Sequence, residues 1–188
     1  MPPLDDTPVN RPDRTIKNGQ DNYAVTFLKT YLETNGAYEL VQVELAPKGG
    51  NDWHYHKDFV EKFHVLQGNL TVGLDGKEIV LKENERLEAP AKTMHKFYNT
   101  SGKRAVFTVE INPGRNFEKT LRAAYGLCND GHCNEQGPTN PWHLILILGY
   151  SESFLPMLPG FIQEPLIPAL AKIAQWKGEH KALEVYYR

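Results

Sequence analysis

Short β-type segments separated by turn residues fill the first half of the chain, and this alternation limits the folds open to it. Segments rich in β-branched and aromatic residues recur from residue 23 to residue 114. Turn residues recur about every 8–12 positions, which is typical of a β-sandwich or β-barrel. The dipeptides Asn35-Gly36 and Asp75-Gly76 each predict a two-residue hairpin turn, because both positions of a type I′ turn need a positive φ. The predicted strands cover residues 25–33, 38–45, 61–67, 69–74, 77–81, 86–89, 95–99 and 104–111.

After Pro113-Gly114 the apolar residues take helical spacing, with Ala and Leu frequent. The sequence therefore predicts an all-β fold with a C-terminal α-helical extension. Three units are expected: an N-terminal arm (1–22), a β-barrel (23–114) and a helical extension packed on the barrel (115–188). The predicted helices cover residues 117–125, 142–149 and 164–176.

The charge balance excludes some classes of partner. The chain has 188 residues, 21 Lys and Arg, 23 Asp and Glu, and a formal net charge of −2. Nucleic acids and anionic membrane surfaces are bound by clustered Lys and Arg, so neither is expected as a partner. The longest apolar run, residues 144–148, is far short of the roughly 20 residues of a membrane helix. The N-terminus has no secretory pattern, so a cytoplasmic location is expected.

The two cysteines, Cys128 and Cys133, are separated by four residues. They could close a small disulfide or, with His132, form part of a zinc site. A reducing compartment favours two free thiols in a loop, and that is the expectation.

Three histidines and one glutamate have the spacing of a metal site. His54 and His56 are two residues apart, so both imidazoles leave the same face of an extended strand. Glu61 has the opposite parity, and a turn or bulge at Lys57-Asp58 would point it back at the histidines. His95 follows in a later strand. Three imidazole nitrogens and one carboxylate oxygen suit one divalent transition metal ion: Fe, Mn, Ni, Zn or Cu.

These residues resemble the two signature motifs of the cupin superfamily. The first motif has a Gly, His-x-His, three or four residues, Glu, six residues and Gly. It is matched at His54, His56, Glu61 and Gly68, with Gly49-Gly50 near its opening position.

The second motif of the superfamily is matched at Pro90, His95 and Asn99. Asn84 stands where an opening Gly is expected, and Asn tolerates a positive φ. Lys92 replaces the Gly after Pro90, which is the larger departure. Asn99 is expected to fix a turn through side-chain hydrogen bonds to the backbone.

The resemblance covers roughly residues 23–114 and implies a cupin (double-stranded β-helix, jelly-roll) barrel. It also implies that the metal ligands are His54, His56, Glu61 and His95. Many small cupins carry C-terminal helices and dimerise through their barrel sheets, so the resemblance implies a homodimer. Metal-binding cupins include dioxygenases, decarboxylases, lyases and sugar isomerases.

Strand parity also predicts what lines the pocket. The lining candidates are Phe63, Val65, Phe97 and Phe107, which predicts a mostly apolar pocket with few acid or base groups besides the ligands. His64 has the opposite parity to Glu61 and should face away from the pocket. The three remaining histidines are expected on the surface: His132, His143 and His180.

Three functions follow from this pattern. The first is a mononuclear metal-dependent enzyme, dioxygenase-like, acting on a small organic molecule. An apolar pocket favours oxygen chemistry on an aromatic or enol-type substrate over a phosphosugar. The second is a non-catalytic small-molecule binding or sensor cupin, and the third is a cupin isomerase or lyase.

Overall fold

Two antiparallel sheets enclose one apolar core in the computed structural model, which describes residues 13–19 and 23–188. The six-stranded sheet has the spatial order β1 (Thr15–Asn18), β2 (Tyr23–Lys29), β3 (Glu39–Leu45), β10 (Ala105–Asn112), β5 (Val60–Gln67), β8 (Arg86–Ala89). The three-stranded sheet has the order β7 (Lys77–Leu81), β6 (Leu70–Leu74), β9 (His95–Tyr98). Short pairs join β4 (Tyr55–His56) to β13 (Ser153–Phe154), and β11 (Cys133–Asn134) to β12 (Gly137–Pro138).

Alternation along the strands decides which side chains enter the core. Phe107 and Val109 of β10 are buried, while Glu110 faces outward and accepts a hydrogen bond from Lys62 Nζ at 2.8 Å. The alternation of apolar and polar residues along β10 predicts this outward position of Glu110, and the structure confirms it. The apolar residues of β3 face the same core. This arrangement is a jelly-roll barrel, as predicted.

Of the two hairpin predictions, one is confirmed and one is wrong. Asp75 and Gly76 have φ of 47° and 77° and join β6 to β7 in a two-residue turn. Asn35-Gly36 also has positive φ but lies in the loop 30–38, because β2 already ends at Lys29. Thr30 and Glu33 exchange side-chain-to-backbone hydrogen bonds, as in a capping box, and thereby start a helical turn.

The edge strand β1 was not predicted. It pairs with β2 from Thr15 to Asn18, N-terminal to Tyr23, where the sequence predicted the barrel to begin. The rest of the predicted arm, residues 1–12 and 20–22, lies outside the described residues.

Four helices form the C-terminal part: α1 (Phe117–Asn129), α2 (Pro141–Ser151), α3 (Gly160–Trp176) and α4 (Lys181–Tyr187). Three were predicted with shorter bounds, and α4 was not predicted. They share a second core that includes Ala123, Leu146 and Leu183. Tyr125 of α1 instead enters the barrel core, where its ring lies 5.5 Å from that of Tyr23. Among the described residues, no helix has the length and hydropathy to span a bilayer.

A buried carboxylate of the barrel caps α1. Glu39 of β3 accepts backbone hydrogen bonds from Arg115, Phe117 and Glu118, at 2.8, 2.9 and 3.3 Å. Burial raises the pKa of Glu39, although these donors oppose the shift. The first turn of the extension is therefore attached to the barrel by an acceptor that the helix itself lacks.

The prediction of two free thiols is wrong, because Cys128 and Cys133 form a disulfide. The chain reverses directly after α1. Gly131, at φ 80°, donates to the Cys128 carbonyl, and His132 donates to the Leu127 carbonyl. This reversal brings the two Cα atoms to 4.7 Å, within the range that a disulfide spans. The expectation failed because it assumed a reducing compartment and gave the turn no weight.

Asn99 connects three backbone segments, and its predicted structural role is confirmed. Its amide Nδ2 donates to the carbonyls of Leu45, Ala46 and Lys103 at 3.1, 3.3 and 2.8 Å. Its Oδ1 accepts from the backbone nitrogen and the hydroxyl of Ser101 at 2.9 and 2.7 Å. The side chain is 1 % exposed.

We expect Asn99→Ala to lower the free energy of unfolding by about 2–3 kcal/mol, because buried backbone groups lose their partner. Denaturant titration followed by circular dichroism measures the change. Asn69→Ala is the matched control, since Asn69 is exposed, and it should change stability by less than about 0.5 kcal/mol. Equal effects of the two substitutions would contradict the structural role of Asn99.

Candidate metal centre

Backbone pairing brings the four predicted ligands together. His54 and His95 exchange two backbone hydrogen bonds of 2.9 and 2.8 Å, so their side chains leave neighbouring strands at the same level. His56 follows in β4, and the chain leaves extended structure at Lys57-Asp58 before β5 begins. This break resets the parity, and Glu61 points back at the histidines as the sequence predicted.

The four ligand atoms lie within 4.8 Å of one another. His56 Nε2 is 3.4 Å from Glu61 Oε1, and His95 Nε2 is 3.3 Å from Glu61 Oε2. The ring centroid of His54 is 4.5 Å from that of His95 and 4.8 Å from that of His56. Three of the ligands are buried, whereas His54 is partly exposed.

Backbone carbonyls fix the tautomer of two imidazoles. His54 Nδ1 lies 2.8 Å from the Asp52 carbonyl, and His95 Nδ1 lies 2.9 Å from the Thr93 carbonyl. A carbonyl oxygen only accepts, so each Nδ1 carries a proton and donates it. In the neutral ring Nε2 then holds a lone pair.

The charges in the cluster depend on one another. Burial alone would raise the pKa of Glu61, but His56 and His95 outweigh it and hold this pKa well below its usual range. Burial alone would lower the pKa of His95, but Glu61 raises it above its ordinary value of 6.5. Burial and the two neighbouring imidazoles lower the pKa of His54 to about 3.

The donor set fits a divalent transition metal ion. His56 Nε2 and His95 Nε2 are buried and make no hydrogen bond. At His95 a lone pair faces a carboxylate oxygen, an arrangement that is repulsive unless a proton or a cation lies between them. Nitrogen and oxygen ligands about 2.0–2.2 Å from one ion lie roughly 3–4 Å apart, which matches the distances of 3.4 and 3.3 Å from Glu61 to His56 and His95.

The departures from the second motif keep the backbone geometry that a glycine would give. Asn84 has φ 69° and Lys92 has φ 63°, so both occupy the left-handed region. The backbone nitrogen of Lys92 donates to the His56 carbonyl at 2.7 Å, which holds the loop against the strand that carries a ligand. The backbone of Lys92 is therefore strained, because a residue with a side chain occupies a left-handed conformation, but the ligand positions stay intact.

Aromatic side chains surround the cluster. The Phe59 ring stacks on His56 at 4.1 Å, and the Phe117 ring lies edge-on to it at 6.4 Å. The Phe63 ring lies 6.5 Å from His95. All four residues predicted to line the pocket are buried in the barrel core: Phe63, Val65, Phe97 and Phe107. Contact between them and a substrate stays a prediction.

A polar cleft of about 1050 Å³ lies next to the loop that precedes His54, and none of the four ligands lines it. One wall is the loop 47–52, which includes Asp52, the residue whose carbonyl accepts from His54. The other wall is the disulfide-closed segment that contains Cys128, Cys133 and Glu135. The loop 47–52 thus lines the cleft and, through the Asp52 carbonyl, also contacts His54, the one partly exposed ligand.

Sequence reasoning missed Ser153, Phe59 and Phe117 at this site. Ser153 Oγ lies 3.5 Å from His56 Nδ1, and Ser153 belongs to β13, which pairs with β4. Phe59 lies in the break between β4 and β5, so strand alternation could not predict which way its side chain points. Ser153 and Phe117 belong to the C-terminal part, and only the fold brings them to the ligands.

The other histidines lie outside the cluster. His64 is on β5, opposite Thr108 and Arg86 of the neighbouring strands, as its parity predicted. His143 Nε2 lies 3.9 Å from Glu179, and His180 lies 3.8 Å from Glu184. Among the described residues, the ligand quartet is the one His, Cys, Asp and Glu group with metal-binding geometry.

A comparison with family models agrees with the fold. A family model described as "Cupin domain" matches residues 41–112, which include all four candidate ligands. The chain therefore contains a domain of the cupin superfamily.

Two curated relatives come from Bacillus subtilis (strain 168). Quercetin 2,3-dioxygenase is 38 % identical over 86 residues, which are 45 % of this chain and 24 % of the relative. Protein YdbB is 45 % identical over 49 residues, which are 26 % of this chain and 43 % of the relative. The chain thus spans less than half the length of either relative. Among solved structures, KdgF from Halomonas sp. superposes with a TM-score of 0.46 at 19 % identity, covering 51 % of this chain and 84 % of KdgF.

We expect His95→Ala to weaken metal binding by at least about 100-fold, because it removes a first ligand rather than an outer partner. Competition against a chromophoric chelator measures the affinity for Mn²⁺, Ni²⁺ and Zn²⁺. The control His64→Ala changes a histidine of the same barrel on the face away from the cluster, and it should bind as the wild type does. An unchanged metal affinity in His95→Ala would remove His95 from the site.

Metal affinity should also fall as the pH is lowered through the raised pKa of His95. Below that pKa a proton occupies Nε2 of His95 and competes with the ion, so this one proton weakens the apparent affinity about tenfold per pH unit. Titrations between pH 5.5 and pH 8 measure the slope. In Glu61→Gln the cause of the raised pKa is gone, and the decline should begin at a lower pH. A pH-independent affinity would contradict this competition.

Proposed function

We propose that this chain is a mononuclear metal-dependent enzyme of the dioxygenase type, acting on a small organic molecule. The observation that carries the proposal is the convergence of three imidazoles and one carboxylate, with His56 Nε2 and His95 Nε2 left without hydrogen bonds. The curated relative named quercetin 2,3-dioxygenase, 38 % identical over 86 residues, supports oxygen chemistry.

The residues of the chain would hold the ion and shield it. When bound, a divalent transition ion supplies Lewis-acid and redox chemistry at this site. Glu61 provides the one negative charge of the donor set, and the rings of Phe59 and Phe63 exclude water from the buried side. His54 is partly exposed, so we expect the substrate to approach on its side, from the cleft along the loop 47–52.

The surroundings of the ligands favour an aromatic or enol-type substrate. Aromatic rings contact His56 and His95, and within the described residues no Lys or Arg side chain pairs with any of the four ligands. A phosphosugar would call for such cations. A flavonol such as quercetin, named by the relative, is the first compound to test.

A non-catalytic binding or sensor cupin is the second candidate. No acid or base among the described side chains, other than the ligands themselves, hydrogen-bonds or ion-pairs with a ligand. In that case the ion would only orient a bound small molecule. An isomerase or lyase usually needs an acid or base next to the substrate. For the same reason, an isomerase or lyase is the third candidate function.

The test measures oxygen uptake at known metal occupancy. Protein is loaded in turn with Fe²⁺, Mn²⁺, Ni²⁺, Cu²⁺ and Zn²⁺, its metal content is determined by elemental analysis, and quercetin is added in an oxygen-electrode cell. We expect uptake to rise in proportion to occupancy with at least one metal. His56→Ala should abolish it, whereas the control His64→Ala should retain it.

A binding module would give a different result. Quercetin would raise the thermal midpoint of the loaded protein without oxygen uptake or product. Fully loaded protein that shows that stabilisation and no turnover with any metal would reject the enzyme hypothesis for this substrate class.

A further inference from the structure

Helix α3 carries apolar side chains on two faces. Its inner face is buried: Ala171 and Ala174 enter the helical core, Ile167 packs with Tyr55 and Phe154, and Gln163 hydrogen-bonds the backbone of Leu155 and Leu158. A second set lies on the outside, at intervals of four, three, four and three residues. We call this set the outer stripe: Ile162, Leu166, Ala169, Ile173 and Trp176.

Most of the large exposed apolar side chains of the described residues lie in the outer stripe or next to it in the sequence. Among the described residues, twelve large apolar side chains are exposed, and seven of these twelve lie between residues 157 and 176. Phe161 and Trp176 are 81 % and 88 % exposed. The seven together present roughly 800 Å² of apolar area, about what each partner contributes to a standard protein interface. A patch of this size on a folded domain marks an interaction site.

We propose that α3 packs antiparallel against α3 of a second copy of this chain, around a twofold axis at Ala169. The alternating intervals of four and three residues are those of the apolar seam between two paired helices. A twofold dimer needs a surface that is complementary to itself. Ala169 is the midpoint of the stripe, with Ile162 and Trp176 seven residues on either side, and its small side chain lets two helices approach closely.

Side-chain size supports the antiparallel direction. The two most exposed aromatic residues of α3, Phe161 and Trp176, lie at opposite ends of the helix. Antiparallel pairing places Phe161 of one copy beside Trp176 of the other, and this contact occurs twice. Each aromatic ring then covers apolar area that the monomer leaves in water.

Charge supports the same direction. Lys172 is exposed, and among the described residues it has no ion pair. Glu164 and Lys172 line one cavity and therefore lie on the same flank of α3. Same flanks meet in an antiparallel pair, which brings Lys172 near Glu164 of the second copy, whereas opposite flanks meet in a parallel pair and keep the two charges apart. Glu164 already accepts from Tyr55 and lies 3.8 Å from Lys57, so its carboxylate is held at the edge of the stripe.

This surface differs from the barrel sheets through which the family resemblance implied dimerisation. A lipid surface is the other partner that fits an exposed apolar helix. Such helices carry Lys and Arg along their polar boundary, but the flank of α3 beside the stripe carries Glu164 as well as Lys172.

The first test is the oligomeric state of the full chain, measured by sedimentation velocity over a range of concentrations. We expect a dimer for the wild type. Ile173→Glu places a charge in the centre of the seam and should raise the dimer dissociation constant at least about tenfold. Val80→Glu is the matched control, since Val80 is 54 % exposed on β7, and it should leave the dimer unchanged. Circular dichroism checks that both variants are folded.

The second test locates the axis without weakening the interface. The chain has two cysteines, both in the disulfide, so Ala169→Cys introduces the one free thiol. A short bis-maleimide should join two copies through this position, and Val80→Cys should stay uncoupled.

Three results would overturn the proposal. They are a monomeric wild type, a dimer that Ile173→Glu does not weaken, and a dimer in which Ala169→Cys is not cross-linked. Flotation of a monomeric wild type with phosphatidylcholine–phosphatidylserine vesicles would assign the surface to lipid instead.

Discussion

The structure of the metal centre depends on a buried carboxylate that faces the lone pairs of imidazoles. The Thr93 carbonyl fixes the proton of His95 on Nδ1, so Nε2 is directed at Glu61 Oε2 3.3 Å away. An anion buried in this environment is costly unless positive charge neutralises it. A cation held between Glu61 and the imidazoles, either a proton or a metal ion, would supply that charge. Four polar side chains inside an aromatic shell are explained by a bound cation.

The C-terminal part supports the centre from outside the matched family region. Strand β13 extends the pairing of β4, which places Ser153 beside His56. Phe117, at the start of α1, packs edge-on to the same imidazole, and Glu39 of the barrel caps that helix. The family match ends at residue 112, so Ser153 and Phe117 lie outside the matched region. The orientation of His56 is therefore coupled to the docking of the helices.

The parts of the fold and site that the sequence predicted are those encoded locally. His-x-His puts two imidazoles on one face whatever the rest of the chain does, and Asp75-Gly76 needs only its own backbone. The hairpin prediction at Asn35-Gly36 was wrong because the capping box formed by Thr30 and Glu33 follows directly after Lys29, where the strand ends six residues before Asn35. The contact between Ser153 and His56 could not be predicted from the sequence, since the two residues are 97 positions apart. Such a contact depends on tertiary pairing, which no local pattern records.

Helix α3 shows a different limit of prediction from the sequence. Both its inner and its outer face carry Ile and Ala, so the spacing of apolar residues does not show which face is buried, and the helix contains Pro165 and Pro168. The helix continues through both prolines, at the loss of the hydrogen bonds that their nitrogens cannot donate. Burial of Ile167 and Ala171 already attaches the helix to the molecule. The outer stripe adds nothing to that attachment and would reduce solubility if it stayed in water, so its regular spacing is best explained by a second surface that covers it.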